Sequence, residues 1–227
     1  MAATLQHRWD LSPKEAVAIQ RQLADRVLAI PLTHRVRLVA GTDASYDAKS
    51  DAIIAGVVVW DLDSKRVIES SHVVRRCDFP YIPGLLSFRE APAVMDAVAL
   101  LTSTPDVFMI DGQGLAHPRR FGLACHVGVL LDRPTIGCAK SRLCGDYAEP
   151  AVRRGGSRRL THNRDIIGRV VRTRDGVSPL FISVGHRILL KEAERLVLRC
   201  CGKYRLPEPT RLAHQYVTTT KRQLDLS

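Results

Sequence analysis

Aromatic side chains make up only 5% of the 227 residues, which argues against a broad base-stacking platform of the single-strand-binding kind. Long apolar runs are missing too. None approaches the ~20 residues needed to span a bilayer, and the polar stretch from Met1 to Asp10 has no signal-peptide h-region. No membrane partner is expected, and a cytoplasmic or nuclear location is. The six cysteines, at 77, 125, 138, 144, 200 and 201, form neither a C-x-x-C pair nor a zinc spacing. Cys125 and Cys138 lie in apolar stretches and read as small, reduced, buried hydrophobes. The chain also lacks a G-x-x-x-x-G-K-[ST] phosphate loop and a G-x-S-x-G nucleophile elbow. Gly112-Gln113-Gly114 lacks the third glycine of a dinucleotide fingerprint.

What is abundant is positive charge. Lys and Arg number 34 against 23 Asp and Glu, a formal net charge of +11. That balance favours a polyanionic partner, because each neutralised phosphate releases condensed counterions. Arginine pairs at 75–76, 119–120, 153–154 and 158–159 mostly abut Gly- or Pro-containing loops, and Arg suits planar recognition of phosphate.

The spacing predicts a helix over Pro13–Ala29 with Ser12 as N-cap, then a β region from Arg37 to Thr42. Ala52–Trp60 and Arg66–Val74 read as strands joined through the turn at 61–65. A proline-rigid loop over Pro80–Gly84 leads into a helix ending near Leu101. Asp106–Ile110 and Pro134–Ala139 read as short buried strands, with a one-sided helix over Arg120–Leu131 between them. Gly145–Arg159 reads as an exposed basic insertion. Ile166–Arg172 and Pro179–Ser183 read as a hairpin, Ile188–Cys201 as an amphipathic helix, and Thr210–Val217 as a short helix or loop. One domain over 1–227 is expected: a mixed β-sheet flanked by helices, hence α/β.

Asp111 is the strongest chemical candidate on local grounds. It ends an apolar strand, where α/β sheets place ligands, and Gly112 and Gly114 permit close backbone approach. His117-Pro118-Arg119-Arg120 then brings a proton carrier and two cations to the start of the next helix, whose N-terminus favours phosphate. Asp43 follows the apolar stretch 38–42 and is either a cation-holding carboxylate or a turn Asp. Glu90 has a rival role, since Ser87-x-x-Glu90 fits a capping box that Pro92 complicates. On local sequence the cap is favoured. Lys140 follows an apolar strand and balances carboxylate or phosphate charge, or is a surface lysine. His214 ligates a metal, holds a water or is structural. The oxygen-rich set suits Mg²⁺ or Mn²⁺ rather than zinc.

Gly41-Thr42-Asp43, Pro80-Tyr81-Ile82-Pro83-Gly84 through Glu90, Asp111-Gly112-Gln113-Gly114 through His117-Pro118-Arg119, Gly137-Cys138-Ala139-Lys140-Ser141 and Ser183-Val184-Gly185-His186 occur in order along nearly the whole chain. Together they resemble the endonuclease V family. The resemblance implies a ribonuclease H-like fold and Mg²⁺-dependent cleavage, with Mn²⁺ able to substitute. The bond cut would be the second phosphodiester 3′ to deoxyinosine, leaving 3′-hydroxyl and 5′-phosphate. It gives Asp43, Glu90 and Asp111 the metal, which sets aside the capping preference for Glu90, and makes Lys140 the active-site lysine. Through the same resemblance Tyr81 matches a wedge aromatic, with Pro83 and Gly84 in its rigid loop. Leu86, Gly112, Gly122 and Leu143 match positions around a flipped hypoxanthine. His117 and Arg119 belong to the matched motif, His117 for charge or proton movement and Arg119 on the substrate side. His214 stands where many members carry Asp, so it joins the catalytic set with a water-mediated or weaker role. The implied partners are DNA with deaminated bases or mismatches, or inosine-containing RNA, bound by a monomer. A structure-directed nuclease of the same fold and a non-catalytic nucleic-acid-binding protein are the alternatives.

Overall fold

The computed structural model describes residues 3–48 and 50–224. Their eight strands form a single sheet: β1 Leu38–Asp47, β2 Ala52–Asp61, β3 Arg66–Arg76, β4 Val107–Ile110, β5 Thr135–Ala139, β6 Ser157–His162, β7 Asp165–Val171 and β8 Leu180–His186. The order across the sheet is β3-β2-β1-β4-β5-β8-β7-β6. β1, β2 and β3 pair antiparallel as a meander, while β4 lies parallel to β1 and β5 parallel to β4. That 3-2-1-4-5 beginning is the ribonuclease H-like arrangement. Five helices accompany it among the described residues: α1 Pro13–Ala24, α2 Leu86–Ala99, α3 Leu123–Leu131, α4 Leu190–Cys200 and α5 Glu208–Leu224.

The sheet is covered on both faces, and its central strand β4 is apolar and buried throughout. In β4, Val107 and Met109 join one core with β8 and α4, while Phe108 and Ile110 join the other with α2 and α3. Cys125 and Cys138 are buried, as expected, and all six thiols are free. No helix among the described residues is long and apolar enough to cross a membrane.

Several expected boundaries move, each for a tertiary reason. Helix α1 has the predicted cap, with Ser12 Oγ accepting from Glu15 N–H and the Glu15 carboxylate accepting from Ser12 N–H at 2.7 Å. It stops at Ala24 rather than Ala29, because Leu28 N–H turns to His186 Nδ1 and Leu28 C=O accepts from Arg187 N–H at 2.6 Å. The expected exposed insertion also needs correction. Residues 157–162 are a strand, β6, turned into β7 through Asn163 and Arg164, both at positive φ (54° and 71°) as a primed hairpin turn requires. Its arginines hid it: β6 is an edge strand and only Leu160 is buried.

Helix α3 begins at Leu123, not Arg120, and every one of its residues is buried, so it is not one-sided. The C-terminal helix α5 is 17 residues long, in place of the short helix or loop expected over Thr210–Val217. It lies so close on β1 and β2 that a Cβ on Gly41 would stand 2.1 Å from the Pro209 carbonyl carbon.

Candidate active site

Parallel pairing of β1 with β4 aligns Thr42 with Ile110, so the next residues, Asp43 and Asp111, fall side by side where the short β4 ends. A backbone bond from Asp111 N–H to Thr42 C=O, 3.4 Å, closes that end of the ladder. Asp43 is therefore within β1, opposite Gly56 of β2, and not in a turn. The turn aspartates are elsewhere: Asp51 accepts from Tyr46 Oη at 2.5 Å, and Asp47 caps Ser50.

Helix α2 brings the third acid. Its N-cap, Leu85, has no side-chain cap, and the Ser87–Glu90 capping box does not form. Ser87 lies inside the helix and its hydroxyl meets His126 Nδ1 at 3.1 Å, which leaves Glu90 to the sheet's acids. Burial pushes the Glu90 carboxyl up to about 8, with the charges of Asp43 and Asp111 adding to it. Asp43 is pushed up to about 6 by burial and then by Asp111. Nearby carboxylate charge thus disfavours ionisation of Glu90 and Asp43, as it does where carboxylates share one site.

Two nitrogen groups answer this charge. Lys140, just past β5, ion-pairs with Asp111. His214 of α5 places Nδ1 2.9 Å from Asp43 Oδ2. Among the described residues no three His, Cys, Asp or Glu side chains are already drawn around one point as metal ligands. The donor set itself, three carboxylates brought together from β1, β4 and α2, fits a hard divalent cation.

Beside the acids is a cleft of about 350 Å³. Tyr81, 69% exposed, lines it with Pro83, Gly84, Leu86, Gly112, Gly122 and Leu143, which is the set expected at the substrate except for Arg119. Asp111 and Lys140 also line it, so it opens directly onto the acid cluster. Asp43, Glu90, His214 and Arg119 lie outside its lining.

The loop bearing Tyr81 is bolted down through one carbonyl. Gly84 C=O accepts from Arg119 Nη2 at 2.7 Å, from His117 Nε2 at 3.0 Å and from Gln20 Nε2 at 3.0 Å. Gln20 Oε1 in turn accepts from Arg119 Nε at 2.6 Å. His117 Nδ1 accepts from the Arg119 N–H at 3.2 Å, so both ring nitrogens are occupied. Burial, then the Arg119 charge, pushes its imidazole down to about 4. His117 and Arg119 therefore hold the loop as placed. Gln20 was not foreseen, because nothing near it in α1 marks it, and its partners lie 64 and 99 residues away. Gln113 was likewise missed: its Nε2 donates to Ser141 C=O at 2.9 Å, tying the Asp111 loop to the Lys140 loop.

Paired acids on the central strands of a 3-2-1-4-5 sheet, beside a cleft, define an α/β protein of the ribonuclease H-like class with a clustered-carboxylate centre. The chain belongs to the Endonuclease V family, whose model matches residues 21–215. It is 51% identical to Endonuclease V of Dehalococcoides mccartyi (strain CBDB1) over 208 residues, covering 92% of this chain and 93% of that one. The crystal structure of Endonuclease V from Streptomyces avermitilis is similar at 39% identity and TM-score 0.89, covering 99% and 100% of the two chains. Endonuclease V of Ciona intestinalis, 25% identical with TM-score 0.80 and covering 93% and 98%, was crystallised with a 24mer DNA containing an inosine followed by a ribo-adenosine.

Proposed function

We propose that this protein is a Mg²⁺-dependent endonuclease that cuts the second phosphodiester bond 3′ to deoxyinosine in DNA, leaving 3′-hydroxyl and 5′-phosphate, and so serves repair of deaminated bases. The observation that carries this reading is the side-by-side placement of Asp43 and Asp111, with Glu90 near enough to feel the charge of both, beside a cleft that Asp111 lines and an exposed tyrosine edges. The inosine-containing DNA bound by the Ciona relative supports the substrate.

Asp43, Glu90 and Asp111 would hold the ion, Mg²⁺ with Mn²⁺ as a substitute. When bound, the ion supplies positive charge to the phosphate and an acidified water. Lys140 holds Asp111 in place and offsets its charge, and His214 does the same for Asp43. Tyr81 wedges into the base stack while Gln20, His117 and Arg119 keep its loop from yielding. Flipping a base costs a few kcal/mol, least at a weak pair such as an inosine mismatch. His117 is thus read as a loop anchor and not as a proton carrier. The six free thiols support a reducing compartment, and we place the protein in the cytoplasm.

The test is product mapping on matched DNA and RNA oligonucleotides, each with or without one inosine, in Mg²⁺. A single DNA cut one nucleotide beyond the inosine's 3′ neighbour bond is expected. Equal cutting of inosine-free strands would sink the reading in favour of a structure-directed nuclease, and preference for the RNA strand would move the substrate to RNA. Asp111→Asn should lower cleavage by ~10⁴-fold or more, and Mg²⁺ should raise the wild-type melting temperature but not that of Asp111→Asn.

A further inference from the structure

The segment before α1 folds back on α3, with Thr4 N–H donating to Leu130 C=O at 2.8 Å. From it His7 reaches inward. Its Nε2 lies 2.7 Å from Nε2 of His126, which is fully buried in α3. The other nitrogen of His126, Nδ1, lies 3.1 Å from Ser87 Oγ, and Ser87 lines the cleft that takes the base. At the outer end, His7 Nδ1 lies 2.6 Å from Arg8 C=O.

That carbonyl fixes the direction of every bond in the row. A carbonyl oxygen only accepts, so His7 carries its proton on Nδ1 and its Nε2 is a bare acceptor. His126 must then carry its proton on Nε2, which leaves its Nδ1 bare. Ser87 therefore donates its hydroxyl proton to His126, and its oxygen has only lone pairs left to offer. The surroundings keep the row neutral: the rings of Trp9, Phe88 and Phe121 all stand 5.1 Å from His126 by centroid. Burial pushes both imidazoles below the usual histidine range.

We infer that Ser87 is a specificity-determining acceptor in the wall of the cleft, and that His7 and His126 are positioning residues that hold it in that state. The inference rests on the nuclease reading above. An acceptor there favours a base edge that carries N–H, as hypoxanthine does at N1, and opposes adenine, which presents a lone pair at that atom. A second proton on His7 would reverse the row: His7 Nε2 becomes a donor, His126 shifts its proton to Nδ1, and Ser87 is freed to donate. The charged and titratable groups around His7 are Arg8 on its own segment, His126 on α3, and Asp96 on α2, itself paired with Arg75 of β3 at 2.8 Å.

Two measurements decide it. Nitrogen-15 spectra of the imidazoles should show Nδ1–H on His7 and Nε2–H on His126 at neutral pH, and the opposite tautomers would overturn the inference whatever the chain cleaves. Steady-state cleavage of inosine and adenosine strands should show KM for inosine up on the order of 5-fold in His7→Ala and Ser87→Ala, with discrimination against adenosine reduced. His7→Gln, whose side-chain oxygen still accepts from His126, should restore both. It should also lose the wild type's rise in KM at acid pH. If the wild type cuts at inosine while His7→Ala and His7→Gln match it at every pH, the inference alone fails. If the wild type cuts nothing, the nuclease reading fails and the inference falls with it.

Discussion

Glycine 112 separates binding from folding at a single atom. The three atoms nearest to a Cβ added there all belong to Leu123, the first two at 3.4 and 3.5 Å, which is ordinary contact, whereas at Gly122 it would stand 2.3 Å from Gln113 C=O. Both residues line the cleft. Gly112→Ala should therefore keep its melting temperature within ~2 °C while cleavage drops on the order of 10²-fold, because the methyl enters space meant for the base. Gly122→Ala should lose ~5 °C or more. Equal melting losses in the two variants, by calorimetry, would refute this division. Residues of this kind differ in how far they could be read from the sequence. Asp111 was legible because strand, acid and glycines adjoin. Glu90 was not, since Ser87 three residues earlier offered a sufficient local use, and only the buried His126 removes it. Gln20 had no local signal, because its role is defined by a carbonyl 64 residues away.

At the level of elements, α5 governs the centre. It crosses β1 and β2 where both strands carry glycine, Gly41 against Pro209 and Gly56 against Val217. Gly41 is two residues from Asp43, hence on the same face of β1, and the close approach sets His214 over that carboxylate. Gly41→Ala forces a side chain into the helix backbone and should cost ~3 kcal/mol or more. It should also expose α5 to limited proteolysis and break the His214–Asp43 contact. A variant whose urea midpoint and proteolytic pattern match the wild type would show that α5 is not seated this way. The meander of β1 to β3 and the β7–β8 hairpin follow from apolar runs and turn chemistry near at hand. The length of α5 and the existence of β6 do not. The first draws its stability from two glycines far upstream, and the second is a charged edge whose alternation buries one leucine.

Across the whole molecule, buried imidazoles and crowded carboxylates set opposing pH limits on stability. Burial pushes His7, His117, His126 and His186 below their ordinary value, His117 to about 4. The unfolded chain takes up those protons near pH 6.5 and the folded chain refuses them, so stability falls as pH drops from about 6.5 towards 4. The acids work the other way. Glu90 at about 8 and Asp43 at about 6, both raised by burial and by neighbouring carboxylates, bind protons in the folded state that the unfolded chain has already released. Folding is therefore penalised above those values and relieved as pH falls through 8 and then 6. In chelator, urea midpoints should peak between about pH 6.5 and 7, with the alkaline limb due to the acid cluster and the acid limb to the histidines. Glu90→Gln should flatten the alkaline limb and leave the acid limb unchanged, and saturating Mg²⁺ should raise the alkaline limb of the wild type by neutralising the acids a proton would otherwise neutralise. An alkaline limb identical in wild type and Glu90→Gln would mean that Glu90 does not share its charge with Asp43 and Asp111, and the three acids would no longer be one site.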